Sequence, residues 1–387
     1  MLSRRKLVIG CGAAAAGCAL SAFITRKAYT AGFSPKFAAA PGLKEASYWQ
    51  ALDAKRVKCT LCPRECRVAD AERGWCGVRE NRDGKYYTLV HSRPCAIHVD
   101  PIEKKPLFHY LPGTKAFSIG TAGCNFECKF CQNWNISQFR PEQLENYDLP
   151  PDGVVSGARD TNCQSIACTY NEPTIFYEYV FDCAQKSRAA GIPTVIISNG
   201  YMQKPPMEAL CKELGAVKID LKSFSEKFYQ ETCRGRLQPV LDTLKTLKAQ
   251  GIWFEIVVLL VTTLNDSVDE VKRLSGWVAK ELSPDVPLHF SRYSPMYQLQ
   301  LPRTPAETMS KAFDAARAEG CHFVYVGNIE LRGKADTVCP SCGTLVIARV
   351  GMVVVSNNLK DGKCPKCGRA IPGVWREADA FKRGIIS

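Results

Sequence analysis

Residues 116–132 read AFSIGTAGCNFECKFCQ, and the fold of the whole chain turns on them. The first five have the small, apolar character of a buried strand. The rest carries Cys124, Cys128 and Cys131 in a C-x3-C-x2-C pattern, on a loop that starts where the strand stops. Three thiolates this close in sequence converge on one object. They can hold three irons of a [4Fe–4S] cluster, and no fourth cysteine follows at ferredoxin spacing, so one iron is left for an outside ligand such as an amino and a carboxylate group. A zinc knuckle is the competing reading, but a closed zinc site uses four protein ligands.

Working outward, short apolar and β-branched runs at residues 116–120, 165–170, 193–198, 216–221, 253–261 and 287–293 alternate with stretches of helical period. Val240, Leu241, Leu244 and Leu247 mark one helical face, and Val268, Val271, Leu274 and Val278 another. Six strand–helix repeats predict an α/β fold, a partial TIM barrel of (β/α)6 type, with residues 322–326 as a candidate extension of the sheet. The expected organisation is a signal or anchor with linker at 1–45, a cysteine-rich module at 46–110, the barrel at 111–330 and a zinc-ribbon or rubredoxin-like module at 331–387. In such a barrel the carboxyl ends of the strands form the working face, and the three-cysteine loop begins there.

Polar residues gather at the same ends. The second run closes on Thr169-Tyr170-Asn171-Glu172-Pro173, the third on Ser198-Asn199-Gly200 and the fourth on Asp220-Leu221-Lys222. Charges at the end of a buried strand want partners. The structural alternative is helix capping, with Asn171 placed ahead of Pro173 at an N-terminal turn.

Eleven of the 20 cysteines fall into three spaced groups, which points to metal ligation in a reduced protein rather than a disulfide framework. Cys339, Cys342, Cys364 and Cys367 form two C-x2-C knuckles, each followed by Gly; zinc is the first choice and mononuclear iron the alternative. Cys59, Cys62, Cys66 and Cys76 have a spacing that suits zinc and an auxiliary iron–sulfur cluster equally. Cys95, Cys163, Cys168, Cys183, Cys211, Cys233 and Cys321 read as core residues. His98 and His109 are not assigned as ligands, and Lys104 and Lys105 are expected to solvate a turn, with contact to an acidic group as the alternative.

The spacing C-x3-C-x-aromatic-C resembles the signature of the radical S-adenosylmethionine (SAM) superfamily, with Phe130 as the aromatic. That resemblance implies a cluster that reduces SAM to methionine and a 5′-deoxyadenosyl radical, which abstracts hydrogen from a substrate. Phe130 would lie beside the adenine, and Asn171 and Glu172 near the cosubstrate's amino group. Ser198, Asp220 and Lys222 match the cosubstrate-carboxylate region of glycyl-radical-enzyme activating proteins. The catalytic residue itself is not assigned.

A narrower resemblance, to the radical enzymes of the AmmeMemoRadiSam system, is carried over residues 59–375 by CTLCPRECRVADAERGWCGVREN, DPIEKKPLFHYLPG, TAGCNFECKFCQNWNISQ, TYNEPT and NNLKDGKCPKCGRAIPGVW. It implies Memo-type and AMMECR-type partner proteins and an electron donor such as flavodoxin or ferredoxin. The match breaks at Ile197, Glu255 and Ser294, where an acidic residue, an arginine and a histidine stand in these families.

The net charge of +13 is concentrated at the amino terminus, with ten Lys or Arg against Glu45 and Asp53 in residues 1–58, leaving +5 for the rest. No basic face interleaved with aromatics appears, so nucleic acid is not expected as a partner. A non-catalytic iron–sulfur electron carrier is the alternative function. Ser3-Arg4-Arg5-Lys6 ahead of the apolar residues 7–24 resembles a twin-arginine signal, which implies export or membrane tethering. The need for SAM and a reductant favours the cytoplasmic face.

Overall fold

The computed structural model describes residues 36–38 and 42–386. Its centre is an eight-stranded sheet of β1 (Ala96–Pro101), β2 (Lys115–Gly120), β3 (Ser165–Cys168), β4 (Thr194–Ser198), β5 (Ala216–Asp220), β6 (Trp253–Leu260), β7 (Leu288–Arg292) and β8 (Val324–Gly327). The strands lie in sequence order across the sheet, and β2 to β8 are parallel. Parallel strands buried on both faces read as continuous apolar runs, which is why the six expected repeats were visible in the sequence. The extension around 322–326 is real and forms β8. The two edges, β1 and β8, are not hydrogen-bonded to each other, so the sheet wraps only part of a barrel.

The expected boundary at 110/111 needs correction. β1 lies before it yet pairs antiparallel with β2 along its whole length, from Ala96 opposite Gly120 to Pro101 opposite Lys115. An edge strand with mixed burial lacks the continuous apolar run that marks its neighbours.

Helices α1 (Pro151–Asp160), α2 (Tyr177–Ala189), α3 (Lys204–Cys211), α4 (Gln238–Ala249), α5 (Val268–Trp277) and α6 (Ala306–Ala318) follow the strands. The expected face of α4 is buried throughout. On α5, Val271 and Leu274 are buried and Val278 continues the face into the next turn, but Val268 is exposed. It is the first residue after the cap Ser267, whose hydroxyl accepts from the Glu270 amide at 3.2 Å, and it points away from the sheet.

The carboxyl-terminal module is a three-stranded sheet of β9 (Thr337–Val338), β10 (Leu345–Val350) and β11 (Val353–Asn357). It is docked rather than merely appended. Arg349 on β10 is buried and donates to the Phe108 carbonyl at 2.7 Å, and His109 sits between the Pro372 carbonyl at 2.7 Å and the Tyr325 hydroxyl at 2.5 Å. Past the ribbon, the tail returns to the barrel floor. Tyr110 donates to the Ala380 carbonyl, and Arg383 donates to the Cys211 and Leu214 carbonyls.

His109 gives this junction a pH dependence. Burial pushes its imidazole down from 6.5 to about 4. Between those values the unfolded chain binds the extra proton, so stability falls as pH drops from 6.5 towards 4, by about 3 kcal/mol. Denaturant unfolding across this range should show that loss, and His109→Gln should flatten it.

Among the described residues, no helix is long and apolar enough to cross a membrane. The twin-arginine stretch lies outside the described residues.

Candidate active site and metal centres

The loop after β2 is held in place by its neighbours. Gly123 has φ +88, and a Cβ there would lie 2.5 Å from the Cys76 carbonyl oxygen. Asn171 donates to the Gly123 carbonyl at 2.8 Å and accepts from the Thr121 amide at 3.2 Å. Asn125 donates to the Tyr201 carbonyl at 2.9 Å and accepts from Asn199 at 2.8 Å, while Asn133 donates to the Tyr170 carbonyl at 2.6 Å. Side-chain amides from the ends of β3 and β4 thus tie the three-cysteine loop to the barrel rim. Gly123→Ala should be among the most damaging small substitutions, costing on the order of 3 kcal/mol through strain and clash. Thermal unfolding and iron content should both register it.

Cys124, Cys128 and Cys131 face one another closely enough for each charge to act on the next. Burial pushes Cys124 and Cys131 up; Cys124 is raised further by the Glu172 carboxylate, and both are raised by Cys128. Cys128 is moved the other way, first by a hydrogen bond from Cys233 and then, against the effect of burial, by the Lys222 ammonium. Cys233 was expected to be inert core. It is buried, but its place is beside Cys128, on the π-helical turn Tyr229–Cys233. Nothing in local spacing could have paired it with a residue more than a hundred positions earlier.

The residues expected around the cosubstrate come together at this same face. Phe130 is buried against Phe228, with the Lys222 ammonium 6.0 Å from its ring. Lys222 pairs with Asp220 at 3.0 Å, and Lys218 pairs with the other carboxylate oxygen. Burial would raise the Asp220 carboxyl, but the two lysines outweigh it and hold the group down at about 2. Lys218, two residues before Asp220 on the same strand, had not been singled out in the sequence.

Glu172 is buried and heavily engaged. It accepts from the Thr174 amide at 3.0 Å, the Thr174 hydroxyl at 2.7 Å, the Ser198 hydroxyl at 2.7 Å and the Asn199 amide at 2.7 Å. It is therefore Glu172, not Asn171, that caps the turn beginning at Pro173. Asn171, Glu172 and Ser198 fasten the site's walls, and each side chain's polar atoms are used in doing so.

Two other expectations are resolved by contacts. Lys105 does not solvate a turn: it is buried and pairs with Asp100 at 2.6 Å, with Lys104 on the second oxygen at 2.7 Å. Burial lowers the Lys105 ammonium to about 8. Glu255, where activating proteins carry an arginine, accepts from the Phe108 and His109 amides at 3.0 and 2.8 Å and pairs with His289 at 2.7 Å. It anchors the LFH segment to the barrel interior.

In the ribbon, the sulfurs of Cys339, Cys342, Cys364 and Cys367 all lie within 4.8 Å of one another, with Cys339–Cys367 and Cys342–Cys364 each at 3.6 Å. Gly343 and Gly368 take positive φ and send their amides back to the Cys339 and Cys364 carbonyls, the tight knuckle turn expected from the sequence. The four cysteines are placed to hold one metal ion.

A model of the radical SAM superfamily matches residues 118–275. A protein of Methanocaldococcus jannaschii is 40% identical over 332 residues, covering 85% of this chain and 99% of the relative. The chain belongs to the radical SAM superfamily. A second protein of the same organism, provisionally named a glycyl-radical enzyme activating enzyme, is 26% identical over 196 residues, 48% of this chain and 71% of that one. Similar solved structures include a domain of pyruvate-formate lyase-activating enzyme from Bacteroides vulgatus, at 16% identity and TM-score 0.38, covering 42% of this chain and 99% of that one. A radical SAM methyltransferase from Sphaerobacter thermophilus has 16% identity and TM-score 0.45, covering 61% and 71%.

Membership of the radical SAM superfamily implies a [4Fe–4S] cluster and SAM, and the cluster, when bound, would supply the electron for reductive cleavage of SAM. The residues fit that group: Cys128 is buried and Cys124 and Cys131 half-buried, all three on a clamped loop at the strand ends. The chain's own work is to hold the loop in place and to set a buried aromatic and a paired lysine beside it.

Proposed function

We propose that this radical SAM enzyme is the radical-generating member of an AmmeMemoRadiSam set, abstracting hydrogen from a substrate presented with a Memo-type or AMMECR-type protein. The observation that supports this reading is how the segments carrying the resemblance meet. Arg64, in the first, donates to the Asn125 carbonyl of the cluster loop at 2.6 Å. His109, in the second, exchanges backbone hydrogen bonds with the last segment through Val374, whose amide donates to the His109 carbonyl and whose carbonyl accepts from Leu111. The first string thus meets the cluster loop, and the second meets the last where the ribbon docks on the barrel.

The ribbon holds structural zinc in this reading, because a sulfur–sulfur separation of 3.6 Å suits a tetrahedron with bonds of about 2.3 Å. The electron comes from a flavodoxin- or ferredoxin-type donor. The twin-arginine stretch acts as a targeting signal, with the catalytic domain working where SAM and reductant are present; a reporter fused to Arg4→Lys, Arg5→Lys should lose any export that the unaltered signal supports.

The test of the reaction is chromatographic. Reduced, cluster-loaded protein incubated with SAM should form methionine and 5′-deoxyadenosine, and a partner protein carrying the substrate should accelerate this and transfer its deuterium label to 5′-deoxyadenosine. Formation no greater than in a cluster-free control would leave the electron-carrier reading in its place. Formation that no Memo-type or AMMECR-type protein accelerates would count against the narrower assignment.

A further inference from the structure

The sequence leaves the metal of Cys59, Cys62, Cys66 and Cys76 open, and the three cysteine groups in this one molecule provide an internal comparison. In the ribbon, four sulfurs close to within 4.8 Å, as a single ion requires. Neither the central three nor the amino-terminal four have even three sulfurs that close, although all are among the described residues. The amino-terminal cysteines are nevertheless drawn together: the Cys59 amide donates to the Cys66 carbonyl at 2.9 Å, and the amide of Trp75, next to Cys76, reaches the Cys66 sulfur at 3.5 Å. A zinc ion bound through bonds of about 2.3 Å draws its thiolates to within about 4 Å of each other. A cubane, whose own irons and sulfides fill the centre, holds them at roughly 6 Å. In this respect the amino-terminal set is unlike the ribbon and like the central three.

The surroundings have the same character. Arg79 is 1% exposed and projects its Nη1 to 3.5 Å from the Cys59 sulfur, while its Nε has no hydrogen-bond partner. A buried guanidinium donor left unsatisfied is costly. A multiply negative cluster with sulfide acceptors at this place would satisfy it. The Trp75 amide likewise donates to the Cys66 sulfur at 3.5 Å. Arg79 is kept in position by Glu178 of α2, so the set is braced against the barrel.

We propose that Cys59, Cys62, Cys66 and Cys76 ligate a second iron–sulfur cluster of [4Fe–4S] type, fully coordinated by protein and therefore confined to electron exchange. It would stand next to the radical-generating loop. Gly123 packs on the Cys76 carbonyl, and Cys76 and Cys124 line one cavity of about 600 Å³ together with Arg73, Trp75, Glu127 and Arg140. Unlike the central site, this one has no open iron, so SAM does not bind to it.

The test removes the central site so that its outcome is independent of the proposed function. Full-length Cys124→Ala, Cys128→Ala, Cys131→Ala protein, isolated anaerobically, should retain about four irons and four sulfides per chain and, after reduction, give an electron paramagnetic resonance signal that SAM does not change. Adding Cys62→Ser and Cys66→Ser should remove that iron. Retained ribbon metal and an unchanged circular dichroism spectrum would report that the fold persists. The proposal is overturned if the central-cysteine variant holds one iron or fewer with the ribbon intact, or if zinc rather than iron fills the amino-terminal set. A variant that lost its fold would be replaced by otherwise unaltered protein carrying Cys62→Ser alone, in which a loss of about four irons, with the SAM-sensitive signal kept, supports the proposal and no loss refutes it.

Discussion

Replacing Cys124, Cys128 and Cys131 together with alanine should lower iron by about four per chain and abolish 5′-deoxyadenosine formation altogether, the largest functional effect expected of any substitution in this protein. In the assignment made from their spacing, the three thiols hold the radical-generating cluster, and the loop that carries them is fixed by Asn125, Asn133 and Asn171 independently of the sulfurs. The fold should therefore survive the loss. The ribbon metal, held by sulfurs of its own, should remain. Elemental analysis alongside product chromatography makes the check: iron unchanged from the unsubstituted protein would mean that these cysteines do not hold the cluster.

The second large effect is expected at Asp220, where the consequence is divided between stability and binding. Its carboxylate is the shared partner of Lys218 and Lys222, whose side chains are 6% and 16% exposed. Asp220→Ala leaves two buried cations uncompensated, at a cost of about 3–5 kcal/mol by analogy with broken buried pairs. Asp220→Asn, which retains oxygen for one lysine, should cost less. Lys222 also acts on Cys128 and stands near Phe130, so freeing it should weaken SAM binding more than it reduces cluster content. Titration with SAM and parallel iron assays separate the two effects.

The pH dependence follows with a definite sign. The Asp220 carboxyl is held at about 2 against an ordinary 3.8, so its contribution is complete above the unfolded value and is lost as pH falls towards 2. This window lies below that of His109, and Asp220→Asn should abolish it without touching the other.

The polar face of the barrel shows how far local pattern reaches. The cysteine spacing of residues 124–131, the polar strand ends after β3, β4 and β5, and the paired knuckles of the ribbon were all legible, because each is made by residues within a few positions of one another whose backbone geometry is local. So were β2 to β7, since a parallel strand covered on both faces must be apolar along its length. β1 was not read as part of the sheet, because an edge strand with mixed burial carries no such mark.

By itself, then, the sequence determined the barrel's repeat, the paired cysteine knuckles of the ribbon and the end of the barrel where the three-cysteine loop and the polar strand ends meet. Tertiary structure decided which groups meet there. Cys233 is beside Cys128, Lys105 reaches Asp100 inside the barrel rather than water, Glu255 holds the backbone of Phe108 and His109, and Asn199 closes on Asn125. It also set the distances between sulfurs, which close to within 4.8 Å in the ribbon, while Arg79 is brought to the Cys59 sulfur. The physical reason is common to all of these: a hydrogen bond or ion pair across a hundred residues leaves no periodicity in the chain, and only the packed sheet brings its two ends within reach.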